Sequence, residues 1–382
     1  MLDITVRTID IGRWTGQKVW LRGWLSDLDD LGQLIFLHLR DGSGFAQAVV
    51  DARQVDTRTW QEVGRLTPES TLAVGGKVHR EARAKGGCEL RVQQVKILSL
   101  AVPGFPRFSG SDQTELRRRR HLWLRSPRQQ AIMRVRAAIA LSLRAFLAEA
   151  GVVNVDLPLL VADSSSAPHG TFDLDYFGDR ACLATDWGPH LTAAAAALGQ
   201  VYGFGPVLRS GPGLGRDDLT ETWRLEMLAA FADLAYVEDL AERLLEEALV
   251  RALDQVAGIL ATDLARDPED LIRACRRPLP RNEAREDHLR AVVATDTFHL
   301  LAPDDHGSFL SGYQRGAPER PPVRQCREVR SRQNWPEDLS RFGAFSVAGF
   351  RLEFERWLAW VVGAVQPWET IAFPRTLSQL SP

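Results

Sequence analysis

Near its C-terminus the chain changes period within a few residues. Phe350, Leu352 and Phe354 alternate with Gly349, Arg351, Glu353 and Glu355, the period of a strand. Trp357 to Val362 then run apolar together and read as a helix. A strand that passes straight into an apolar helix commits the chain to a sheet with one face packed against helices. The other face carries a glycine and three charges. Same-face neighbours lie about 7 Å apart along a strand, so Arg351 and Glu353 can pair with one another or with neighbours. That face is an active site, an obstructed one, or a salt-bridged surface.

The 382 residues suffice for two domains. In residues 1–104, short runs rich in β-branched residues ("QKVWLRGWLSD", "QLIFLHLRDGSG", "FAQAVVD", "TLAVGGKVHR", "CELRVQQVKIL") are separated by turn residues. So many strands in so small a domain suit a Greek-key barrel of the OB type, with another small β-barrel as the alternative. Residues 105–128 mix Pro, Gly and Ser with the run Arg117–Arg120 and read as a hinge, its arginines a solvated face or a nucleic-acid patch. In residues 129–382 an amphipathic helix, Gln129–Ala150, precedes the strand "GVVNVDLPLL". Strands at Thr171–Tyr176, Gly199–Leu208 and Trp223–Phe231 then accompany helices at Tyr236–Leu260 and Arg356–Val362, an α+β pattern. The formal net charge of −2 argues against a strongly basic nucleic-acid binder, and no apolar run is long enough to cross a membrane. Cys88, Cys182, Cys275 and Cys326 show neither close pairing nor metal spacing. With no signal-peptide pattern at the N-terminus, the reading is a reduced, cytoplasmic protein.

"RHLWLRS", "VYGFGPVLRS…LTETWRLEM" and "GFRLEFER…FPRTLSQLSP", in this order behind a barrel, resemble the class II aminoacyl-tRNA synthetases. The similarity is greatest to their asparaginyl and aspartyl branch, nearest the asparaginyl type. It runs over nearly the whole chain, with a segment around 265–298 that looks shortened. The resemblance implies an OB barrel that reads an anticodon and a catalytic domain with an antiparallel sheet flanked by helices. It also implies a homodimer through the helix and the strand ending at Pro158, where Val152, Val153, Val155 and Leu157 would meet a partner. The implied reaction is ATP-dependent activation of an amino acid to an aminoacyl-adenylate and its transfer to tRNA. A ligase with a small amine acceptor, and a catalytically silent dimeric paralogue holding an amino-acid-like ligand, are the further readings.

Position by position, the resemblance assigns Arg209 to the α-phosphate of ATP, Arg356 to the γ-phosphate, and Arg315, with Gln314 beside it, to the substrate side chain. Arg216 and Glu221 belong to the same ATP-binding set. Gly349 keeps a place in the glycine-lined strand on which adenine packs, but Arg351 and Glu353 replace the glycines that follow. His299 and Ser308 stand where the family holds Mg²⁺ with acids, and neither offers the carboxylate that Mg²⁺ prefers. Ser166 replaces the glutamate that meets the substrate ammonium. Asp186, Trp187 and His190 are new in the pocket; Asp186 could take the ammonium, and His190 is a base or a packed ring. In the barrel, Phe36 and Gln47 match the pair that stacks on and hydrogen-bonds an anticodon base, although "SDLDDLGQ" before them is acidic where phosphates would lie.

Overall fold

Strands that bury every second side chain make the first of two compact units, Met1–Ser109 and Gly110–Pro382. The computed structural model describes the chain apart from residues 1–3, 85, 107, 109, 111, 163–169, 212–213, 216–217, 277–280, 283–295, 302–307, 316–337, 340 and 381–382. In the first unit β1 (Lys18–Asp30), β2 (Leu34–Arg40), β3 (Phe45–Asp51), β4 (Thr71–Arg80) and β5 (Cys88–Ser99) close into a barrel in the order β1-β2-β3-β5-β4. Leu21, Leu25, Leu37, Leu39, Ala48, Val74 and Leu90 point inward and fill it. A short helix, α1 (Thr57–Val63), joins β3 to β4; Asp56 caps it by accepting the Thr59 N–H. The acidic stretch before Phe36 is strand rather than loop: Asp27, Asp29 and Asp30 lie in β1, paired with β2 as far as Asp30 opposite Ile35.

The second unit opens with α2 (Gln113–Arg118), α3 (Arg120–Trp123) and α4 (Pro127–Glu149), followed by β6 (Val153–Asn154), β7 (Leu160–Val161), β8 (Asp173–Tyr176) and β9 (Asp179–Leu183). It continues through α5 (Gly188–Leu198), β10 (Gln200–Leu208), β11 (Glu221–Ala230), α6 (Leu234–Asp263), α7 (Pro268–Cys275), β12 (Arg281–Asn282), β13 (Asp296–Leu301), β14 (Ser308–Arg315), β15 (Val347–Glu353) and α8 (Phe354–Val362). A large sheet runs β12-β13-β14-β15-β11-β10-β6, antiparallel except where β6 pairs parallel with β10. One face, with Tyr202, Leu225, Met227, Phe350 and Leu352, packs on apolar residues of α4, α6 and α8. The strand expected to end at Pro158 is ladder-paired over two residues only. Of its four apolar residues Val153 alone is exposed: Val152 enters the core, and Val155 and Leu157 pack against a cluster around Trp187.

The arginine run belongs to the second unit and is partly internal. Arg120 is fully buried and donates to the carbonyls of Glu369 (2.9 Å), Ile371 (2.5 Å) and Ala372 (3.1 Å). Burial pulls its pKa down to about 10, against the opposing charge of Glu369. Arg117 is also buried, its guanidinium stacked on Trp368. At these two positions the run is neither a solvated face nor a nucleic-acid patch. It ties the start of the unit to its last residues.

Candidate functional site

Strand alternation turns Val201, Gly203, Gly205 and Val207 of β10, Thr222, Arg224, Glu226 and Leu228 of β11, and Val347, Gly349, Arg351 and Glu353 of β15 away from the helices. One end of this face is apolar and closed. Trp187, at the start of α5, is 2% exposed and packs with Leu191, Val201, Val207, Leu228 and Val347. Gly349 is required by the sheet itself, because a Cβ there would stand 2.3 Å from the Met227 carbonyl oxygen. Asp186 and His190 flank Trp187, both half-buried. Asp186 accepts the Gly188 N–H at 3.1 Å. Burial lowers the pKa of His190, opposed by the charge of Asp186.

The other end is a ladder of charges. Across β11 and β15, Arg224 faces Glu353 and Glu226 faces Arg351. Arg224 Nη2 meets Glu353 Oε1 at 2.9 Å, and Arg351 Nε meets Glu226 Oε1 at 2.9 Å. Arg351 and Glu353 therefore pair across strands, not with each other. A cross-strand neighbour lies directly opposite, closer than the next same-face residue on its own strand. Arg209, just beyond β10, donates to Glu353 Oε2 at 2.7 Å, and Arg224 also donates to the Thr185 carbonyl. Burial alone would raise the pKa of Glu353, but Arg224, Arg209 and Arg356 overcome it and hold the carboxyl below its usual range. Two residues on, Glu355 is buried with Arg136 Nη2 at 2.8 Å and the Trp223 N–H at 2.9 Å; here burial wins and the pKa rises.

Beside Glu353 lies a cavity of about 80 Å³ lined by Arg209, Asp218, Thr222, Glu355, Arg356 and Trp368, among others. Pockets that enclose drug-sized ligands run to roughly 300–1,000 Å³, so this one holds a few waters and not a nucleotide. The Thr222 hydroxyl at its edge is buried and has no hydrogen-bond partner among the described residues. These residues do not fit ATP: Glu353 occupies Arg209, and the Arg351–Glu226 pair covers the strand next to Gly349. They do not fit Mg²⁺ either. Glu353 and Glu355 are committed to arginines and a backbone N–H, and no group of acids, His or Cys suited to a metal occurs among the described residues.

The structure brings Arg209, Arg356, Glu353 and Glu355 to one cavity. It sends other expected residues elsewhere. Gln314 shares its face of β14 with Leu310, on the helix side of the sheet, and its side-chain oxygen accepts the Leu234 N–H at the start of α6. Consecutive strand residues cannot both face the site, so Gln314 and Arg315 were incompatible as a pair. Glu221 has the opposite parity from Thr222 and does not line the cavity. His299, Ser308 and Arg315 are backbone positions in β13 and β14, and Ser166 and Arg216 lie outside the described residues. Arg224 escaped the sequence reading. Its signal was there: two residues before Glu226, it forms with it a same-face pair complementary in order to Arg351 and Glu353.

On the barrel, Phe36 and Gln47 point outward, half-buried and outside the core. The ladder sets Asp29, Phe36, Val49 and Arg91 in one row and Asp27, His38, Gln47 and Glu89 in the next. His38 pairs with Asp29 at 2.9 Å, and Gln47 donates to Glu89 at 3.4 Å.

Comparison with known proteins gives this geometry its family. Residues 19–98 match the OB-fold nucleic acid binding domain, and residues 112–296 match the tRNA synthetases class II (D, K and N). The chain is 32% identical to the asparagine–tRNA ligase of Chloroflexus aurantiacus, over 99% of both chains, and 32% identical to that of Sorangium cellulosum, again over 99% of both. Among solved structures, asparaginyl-tRNA synthetase from Pyrococcus horikoshii complexed with asparaginyl-adenylate superposes with a TM-score of 0.86, at 25% identity over 100% of both chains. The asparaginyl-tRNA synthetase of Entamoeba histolytica shares the fold with a TM-score of 0.80 at 18% identity over 100% of both chains. The chain belongs to the class II tRNA synthetases of the D, K and N branch, as an asparaginyl-tRNA synthetase-like protein.

Proposed function

We propose that this protein is a divergent, nucleotide-silent paralogue of the asparaginyl-tRNA synthetases, whose nucleotide face is filled by its own side chains. The observation that carries this is the carboxylate of Glu353 lodged between Arg209 and Arg224. An anionic side chain fixed on the guanidinium assigned to the α-phosphate competes with that phosphate at every encounter, and it does so without losing translational freedom. Trp187 and Leu228 fill the sheet face beyond the ladder. An amino-acid-like ligand would then enter beside Asp186 and His190, where a carboxylate can meet an ammonium group. The protein acts in a binding or regulatory role, as a cytoplasmic homodimer. Light scattering reads the dimer directly, and a monomer at micromolar concentration would remove that part.

The competing reading is an active ligase, as the relatives from Chloroflexus aurantiacus and Sorangium cellulosum are named. ATP–pyrophosphate exchange across a panel of amino acids, with and without Mg²⁺, separates the two. The expected result is exchange at background for every amino acid. Exchange above background with asparagine, aspartate or any other member of the panel would return the protein to the ligases.

A further inference from the structure

The charge ladder has two rungs of unequal character. Glu226 is fully buried and its Arg351 partner closes over it. Glu353 is 22% exposed, holds two arginines at once, and stands at the wall of the cavity. It is also the N-cap residue of α8, yet its side chain does not cap the helix. Its hydrogen bonds all run to Arg209 and Arg224. Around it Arg356 and the Thr222 hydroxyl, which has no hydrogen-bond partner among the described residues, border the same cavity. Take away the Glu353 side chain and what remains is two guanidiniums turned to one point, a third nearby, and a buried hydroxyl. Guanidiniums present N–H donors in a fork that matches the oxygens of phosphate as well as those of a carboxylate.

We propose that Glu353 is the resident anion of an oxyanion site built by Arg209 and Arg224, and the single residue that excludes external phosphate from it. This rests on the reading above that the chain's own side chains close the nucleotide face, and it assigns the phosphate end of that closure to one residue. Arg351 takes no part. It answers Glu226, so removing it with Glu353 adds nothing to anion binding and leaves a buried carboxylate without its cross-strand partner. Emptying the site therefore takes one substitution, Glu353→Gly.

The test is titration calorimetry with inorganic pyrophosphate, then inorganic phosphate, on wild type, Glu353→Gly, Glu353→Gln and the double variant Glu353→Gly/Arg209→Ala. Wild type should show no saturable binding. Glu353→Gly should bind pyrophosphate roughly tenfold or more tightly than wild type, the return expected of charge-assisted hydrogen bonds to a freed guanidinium. Glu353→Gln keeps the bulk of the side chain and loses its charge, so it should fall between them. The double variant should lose the gain, which places the anion on Arg209 and not elsewhere on the surface. Should Glu353→Gly prove unfolded by circular dichroism, a pyrophosphate-dependent rise in Tm of Glu353→Gln, absent from wild type, carries the same decision. Wild-type binding as tight as the variant's, or a folded Glu353→Gly that binds no better than wild type, overturns the assignment. Silence of wild type in pyrophosphate exchange together with a non-binding Glu353→Gly would sink this inference alone and leave the proposed function standing.

Discussion

On the outer face of the barrel, Phe36, His38 and Gln47 stand half-buried among acidic neighbours, and the His38–Asp29 ion pair there is open to water. On the site face of the sheet, Arg224, Glu226 and Glu355 are each less than a tenth exposed and pair with Glu353, Arg351 and Arg136 respectively, while Arg209 also holds Glu353. Both faces occupy places that the family resemblance assigns to ligands. The barrel keeps Phe36 and Gln47, the residue types that the resemblance assigns to an anticodon base, and sets acids around them. The sheet keeps its arginines and supplies their anions from within. The difference teaches that retention of a functional residue type says little until its partner is known: Arg209 survives, but as half of an ion pair.

Three measurements break or sharpen this contrast. The largest effect belongs to the dry rung. Arg351→Ala removes the cross-strand ion-pair partner of a carboxylate with no exposed surface and should cost about 3 kcal/mol of stability, read by urea unfolding. Replacing both residues by leucine should recover most of it. A loss near zero for the single variant would mean that the ladder is ornamental. Next comes pH. The pKa of Glu353 is depressed below its ordinary 4.5, so its stabilisation is present above that value and lost as pH falls through the folded-state pKa. The pKa of Glu355 is raised above 4.5, so its ionised form is a cost at neutral pH that is relieved on acidification. Glu353→Gln should therefore flatten the acid-side loss of stability, and Glu355→Gln should raise stability at pH 7 relative to pH 4. Shifts of the same sign in both variants would contradict the assignments. The smallest effect lies on the barrel. Phe36→Ala should change stability by less than about 1 kcal/mol. Asp27→Lys with Asp29→Lys should raise tRNA affinity and steepen its salt dependence in filter binding. An unchanged affinity would show that acidity is not what keeps RNA off.

The architecture was legible because it rests on period. Five alternating runs became five barrel strands, and the switch from strand to helix expected at Arg356 falls two residues earlier, where β15 meets α8 after Glu353, so that Glu355 lies in the helix. Helix α5 was not legible: "GPHLTAAAAAL" offers small residues with little apolar periodicity, and its place is settled by Trp187 and Leu191 entering the sheet face. At the site, side-chain parity along a single strand could be read, which is why Arg351 and Glu353 were seen to share a face. Pairing across strands could not, because register joins Arg224 to Glu353 over 129 residues of sequence. The same limit hid the fate of Arg117 and Arg120, whose partners lie at the far end of the chain.

That last arrangement sets an order in time. Arg120 finds its acceptors 249 to 252 residues further along, in Glu369, Ile371 and Ala372. During synthesis the barrel is complete once Ser109 has emerged, and it can fold while the remainder is still being made. The second unit cannot close in the same way. Until residues 369–372 leave the ribosome, a guanidinium destined for a fully dry position has no carbonyls to meet and must stay hydrated. The nascent chain thus carries a finished barrel ahead of a unit whose closure waits on residues made 249 to 252 positions after Arg120.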